Sequence, residues 1–118
     1  MIRQYKDLIL QAYEAFNARD LDKVLMLMHP DVRWPNDWKG GQLQGPEEVR
    51  SYWTAQFKEL DPAVEPVSIQ QRPDGSIEVQ VHAIVKDLDG NLLDDNHLLH
   101  VYRMEDGLIQ KMIVEEAL

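Results

Sequence analysis

Two groups of residues in this chain have the types and spacing for proton chemistry. The first is Asp37, set in the run Trp34-Pro35-Asn36-Asp37-Trp38. Loops held by a rigid scaffold often carry function. Apolar walls such as two tryptophans raise a carboxylate's pKa toward a useful range. The second group is His82, Asp95 and His97. Strand side chains alternate between faces, so His97 shares a face with Asp95, Leu99 and Val101, while His100 points the other way. A turn at Asp89-Gly90-Asn91 closes a hairpin that brings His82 onto the face of His97. A carboxylate beside an imidazole orients the ring and raises its pKa, as acid–base work requires. Tyr13 is a further hydroxyl donor.

Each group also has a plainer reading. Asp37 can be a solvated loop residue, with Trp34 and Trp38 as packing. Val79, Val81, Ala83 and Val85 make the other face of the first hairpin strand the more apolar one. If that face packs on helices, His82 and His97 face solvent or a partner copy. Tyr52, Trp53 and Phe57 at helical spacing read as core, as do Tyr13 and Phe16. Asp87 to Asp95 holds four aspartates but lacks the closing glutamate of a calcium loop. Other chemistries have no carrier. There is no cysteine, so neither a thiolate nucleophile nor a thiolate metal site exists. No phosphate loop, paired-histidine zinc motif or nucleophile elbow is present. No cofactor is implied, and an enzyme here would work by acid–base groups alone.

The elements that must position these residues follow from periodicity. Tyr5, Leu8, Ile9, Ala12, Tyr13 and Phe16 predict a helix over about residues 3–18. Asp20 caps a second helix carrying Leu21, Val24, Leu25 and Met28, which Pro30 breaks before Val32-Arg33-Trp34 opens an extended segment. Gly45-Pro46-Glu47-Glu48 starts a third helix, since proline suits its first position and glutamates its positive end. Leu60-Asp61-Pro62 ends it. The period then becomes two: a strand with Val67 and Ile69, a turn at 73–76, a strand from Ile77 to Val85, and strands over 92–104 and 108–116. Helices followed by an antiparallel meander define an α+β fold.

The length of 118 residues bounds the chain to a single domain, 1–118. A formal net charge of −9 repels phosphate backbones and argues against nucleic acid as a partner. No apolar run reaches a membrane span, and the first ten residues lack a signal core. A cytoplasmic protein is expected.

The chain resembles the nuclear transport factor 2-like superfamily, and within it the SnoaL-like and ketosteroid-isomerase-like small proteins. Phe16-Asn17-Ala18-Arg19-Asp20-Leu21-Asp22, His29-Pro30-Asp31-Val32-Arg33-Trp34, Gly45-Pro46-Glu47-Glu48-Val49 with Trp53, and Asp106-Gly107-Leu108-Ile109 carry the likeness. It implies a cone-shaped curved antiparallel sheet packed against three N-terminal helices, an apolar ligand in the open end, and a dimer. Aligned on the isomerase pattern of an aspartate base with a tyrosine and a protonated aspartate as donors, the tyrosine position falls on Ala12. The donor aspartate falls on Leu99, and the base near Asn36 or Asp37. Steroid isomerisation of that type is therefore not expected. The resemblance places the His82, Asp95 and His97 face inside the cone. Asp37 and His97, assisted by His82 or Asp95, are then the catalytic candidates. Tyr13, Phe16, Trp34, Trp38, Trp53, Phe57, Leu99, Val101 and Met112 are the ligand-binding candidates.

Two readings follow. One is a small-molecule pocket protein capable of isomerisation, cyclisation or dehydration. The other is a non-catalytic dimerisation or binding module whose outer sheet face buries Val81, Leu98, His100 and Tyr102 against a second copy.

Overall fold

The computed structural model describes residues 2–117, with side chains described from Tyr5 onward. Three helices, α1 (Ile2–Asn17), α2 (Leu21–Met26) and α3 (Pro46–Phe57), stand against a sheet of β1 (Met28–Pro35), β2 (Gln42–Gln44), β3 (Leu60–Gln71), β4 (Ile77–Asp87), β5 (Leu92–Glu105) and β6 (Leu108–Glu116). The strand order is β2-β1-β6-β5-β4-β3. Every neighbouring pair is antiparallel except β1 with β6, which is parallel. Register shifts interrupt β1–β6, β3–β4, β4–β5 and β5–β6. Such bulges bend and coil the strands, which curves the unclosed sheet around the helices into a cone. No helix among the described residues is long and apolar enough to cross a membrane.

The junction after α1 is set locally. The amide of Asp20 donates to the Ala15 carbonyl at 2.8 Å and that of Arg19 to Phe16 at 3.0 Å. This doubly bonded ending needs a left-handed residue, and Arg19 supplies it at φ 65°. Its guanidinium lies 4.3 Å over the Phe57 ring and pairs with Asp61. Asp20 then caps α2, accepting the Lys23 amide at 3.2 Å.

Two boundaries differ from the sequence reading, and tertiary pairing explains both. α2 stops at Met26, ahead of Pro30, and β1 already begins at Met28. A six-residue helix gains little from propagation. The Leu27 carbonyl instead accepts the Ile109 amide at 2.9 Å, drawing the chain to β6. β3 begins at Leu60 and runs through Pro62 and Pro66. It is the last strand of the sheet, where a missing N–H costs no ladder bond.

The core settles which face is inside. Ile77, Val79 and Val81 are fully buried, with Tyr102, Ile109, Val32, Val49 and Ile9. The apolar face of β4 therefore packs toward the helices. His82 pairs directly with His97, and Asp95 with Ile84, so these residues occupy the outer face. The placement of His82, Asp95 and His97 inside the cone is thereby corrected. The outer dimer face built from Val81, Leu98, His100 and Tyr102 is corrected with it, because those four point inward.

The exposed backbone edge of β3 is bonded at Val64 by the side chain of Asn17. The Asn17 amide donates to the Val64 carbonyl at 2.8 Å, and its oxygen accepts the Val64 amide at 2.9 Å. Asn17→Ala removes both bonds at once. We expect a loss of about 1–2 kcal/mol in urea denaturation, with faster hydrogen exchange at Val64. An unchanged midpoint and unchanged exchange would contradict this role.

Candidate functional site

Between the helices and the inner sheet face lies a cavity of about 390 Å³. Helical spacing brings Ala12, Tyr13 and Phe16 of α1, and Tyr52, Trp53 and Gln56 of α3, to its walls. Strand alternation brings Asp94, Leu98, His100 and Tyr102 of β5 to the facing wall, beside Ala83 and Val85 of β4 and Met112 and Val114 of β6. Trp34 and Pro35 end β1 at the rim, and Asp37 follows in the loop. Trp53 packs edge-on against Phe16 at 5.1 Å and against Trp34 at 5.4 Å.

The polar centre of this wall is a chain of three buried side chains. The Tyr102 hydroxyl donates to the Tyr13 oxygen at 2.7 Å, and Tyr13 lies 2.8 Å from His100 Nδ1. Tyr102 is buried and spends its only hydrogen on Tyr13. The Tyr13 hydrogen is then free for Nδ1, which must be the bare nitrogen of the ring. That assignment leaves the proton on Nε2. Nε2 has no protein partner among the described residues, and no fully buried side-chain nitrogen or oxygen there lacks one. It therefore opens on the cavity that His100 lines. His100 is only 9% exposed, and burial pushes its pKa down to about 4, so the ring is neutral at pH 7. Burial also raises the Tyr13 hydroxyl, reinforced by Tyr102, and raises Tyr102 itself. All three groups stay uncharged, and the chain presents one N–H to whatever occupies the cavity.

Asp37 stands at the mouth. Asn36 shapes its loop, accepting the Trp38 and Lys39 amides at 3.2 and 3.1 Å on its side-chain oxygen. The Asp37 amide donates to the Tyr52 hydroxyl at 3.3 Å. Asp37 keeps an exposed side, yet the packed wall behind it strips away part of its hydration and raises its pKa. Burial, with the nearby Asp37 charge, raises Tyr52. The arrangement thus sets a carboxylate with proton-accepting capacity and a neutral N–H donor on one apolar cavity.

Of the sequence candidates, Asp37, Tyr13, Phe16, Trp34, Trp53 and Met112 line the cavity. His82, Asp95 and His97 do not. On the outer face the His82 and His97 rings stack at 4.5 Å, and His82 Nε2 lies 2.6 Å from Asp95. Leu99 and Val101 share that outer face, opposite Gln80 and Glu78. Trp38 is 46% exposed and packs edge-on against Tyr52 outside the cavity. Phe57 stands behind Phe16 at 5.4 Å. His100, Tyr102, Tyr52, Gln56 and Asp94 also line the cavity, beyond the candidates the sequence offers. The signal that finds His100 is the valine-rich face of β4, which fixes the inner face of β5 through pairing. The inward residue of β5 is His100, one position from Leu99, and a one-residue slip exchanges the faces of a strand.

The sequence profile of the SnoaL-like domain matches residues 9–112, and the chain belongs to this family. No curated protein sequence matches it closely enough to count as a relative. Among solved structures, an NTF2-like protein of unknown function from Burkholderia pseudomallei is 25% identical, with a TM-score of 0.82 over 97% of this chain and 91% of that one. TerC, co-crystallised with polyporic acid, is 23% identical, with a TM-score of 0.82 over 97% and 92% of the two chains. SalBIII, an epoxide hydrolase/cyclase-like enzyme of pyran ring formation in salinomycin, is 16% identical, with a TM-score of 0.81 over 98% and 92%.

The buried ring has a pH signature. An unfolded imidazole titrates near 6.5, whereas the folded one stays neutral down to about 4. Below 6.5 the unfolded state therefore binds the extra proton, and stability falls as pH drops through that window. His100→Gln keeps an acceptor for Tyr13 and removes the titration. Its stability relative to wild type should improve by roughly 3 kcal/mol between pH 7 and pH 4, measured by chemical denaturation at both values. A pH-independent difference would show that the ring is not held neutral.

Proposed function

We propose that this protein binds a largely apolar organic molecule carrying a carbonyl oxygen in the cavity and moves a proton on it. The His100 Nε2–H donates to the carbonyl oxygen. The Asp37 carboxylate removes a proton from the adjacent carbon, and the electron pair of that C–H bond flows to the oxygen as an enolate. Donors placed where charge develops lower such barriers most in a water-poor site. Return of the proton to a different carbon gives an isomer, and attack by the enolate carbon on an internal electrophile gives a ring. The role given to His97 in the sequence reading passes to His100. The observation that carries this reading is the neutral, hydrogen-bonded His100 opening on the same cavity as Asp37. SalBIII, described as an epoxide hydrolase/cyclase-like enzyme in pyran ring formation, supports ring closure on this fold, though not the enolate step.

The test is exchange of α-hydrogens of 2-tetralone for deuterium in D2O, followed by proton NMR. Wild type should exceed the buffer rate, and Asp37→Asn should lose roughly 100-fold or more of that excess. The rate should rise with pH as Asp37 ionises and then level. Saturable quenching of tryptophan fluorescence by the ketone with no exchange would reduce the role to binding. Absence of both binding and exchange would overturn the proposal.

A further inference from the structure

The charge of the cavity lining is one-sided. Its formally charged side chains are Asp37 and Asp94, and no lysine or arginine lines it among the described residues. His100 and the lining tyrosines are uncharged at neutral pH. Asp94 lies on the inward face of β5, opposite Val85. The Asn96 amide donates to both Asp94 oxygens at 2.8 Å, steadying the carboxylate without supplying a countercharge. The walls between are aromatic, and ring faces attract cations. The net charge of −9 adds a long-range field of the same sign.

An independent feature calls for a ligand atom in this space. His100 is 9% exposed, and its Nε2–H finds no acceptor among the described residues. A ligand carboxylate could accept it, but only by entering past two like charges, a juxtaposition that costs affinity. A ketone or ether oxygen accepts the same bond without that penalty. An ammonium group gains from the mouth what a carboxylate loses there.

We infer that the cavity selects its ligand by charge: it takes an apolar or aromatic amine whose neutral oxygen meets His100 and whose ammonium group meets Asp94, and it rejects carboxylates and phosphates of the same shape. The inference rests on the reading of the cavity as a small-molecule site and narrows its substrate class.

Three 2-acetylnaphthalenes that differ only at position 6 test it: the aminomethyl, hydroxymethyl and carboxylate compounds. Their Kd values are measured by isothermal titration near neutral pH. The amine should bind about 3-fold or more tighter than the alcohol, as a partly exposed ion pair provides. The carboxylate should bind about 10-fold or more weaker, the order of a like-charge penalty. In Asp94→Asn the amine-to-alcohol ratio should fall toward one, a comparison internal to the variant. Binding of the alcohol with no charge order among the three, or an unchanged ratio in Asp94→Asn, overturns charge selection and leaves the pocket reading standing. Failure of all three to bind overturns both.

Discussion

The interaction on which this molecule turns is the hydrogen-bond chain from Tyr102 through Tyr13 to His100. A histidine on the inner face of an apolar cone has two physical outcomes. Left unpaired, it costs several kcal/mol of desolvation and loosens the wall. Bonded at one nitrogen, it can be held neutral with the other nitrogen available. Two tyrosines from opposite sides of the cone, one on α1 and one on β5, impose the second outcome. They also tie helix to sheet across the cavity. The same three residues therefore stabilise the fold and define the only direction in which the ring can donate.

The cavity persists because its large side chains support one another at its margin. Trp53 bridges Phe16 and Trp34, and Trp34 reaches Tyr102 at 6.3 Å. Phe57 backs Phe16, and Arg19 covers Phe57 while pairing with Asp61 on the edge strand. The strained left-handed Arg19 thus links the helix corner to the aromatic wall. Small residues, Ala12 and Ala83, stand where larger ones would fill the space.

Much of the scaffold was legible in the sequence because its signals are local. Asp20 as a cap, Gly45-Pro46 as a helix start, and the turns at 73–76, 89–91 and 106–107 act within a few residues. The early start of β1 and the length of β3 were not legible. They depend on β6 as a partner and on an edge position, neither of which is written beside Pro30 or Pro62. The strand faces were half legible. Val79, Val81, Ala83 and Val85 marked the inner face correctly, whereas alignment to a distant pattern slipped β5 by one residue. That slip exchanged His100 for Leu99 and put the candidate histidines on the outer face. Asp37 stands out in the sequence as a carboxylate between tryptophans in a loop, and it lines the cavity. Asp94 was hidden in an acidic run that otherwise faces water.

The most direct measurement is the protonation state of the His100 ring, read from long-range proton–nitrogen correlation spectra of 15N-labelled protein. The account requires a neutral ring carrying its proton on Nε2, unchanged from neutral pH down to about pH 5.5, above its depressed pKa of about 4. A ring protonated on Nδ1, or an imidazolium already formed at about pH 5.5, would contradict it, because the cavity would then lose the neutral donor that the proposed reaction uses.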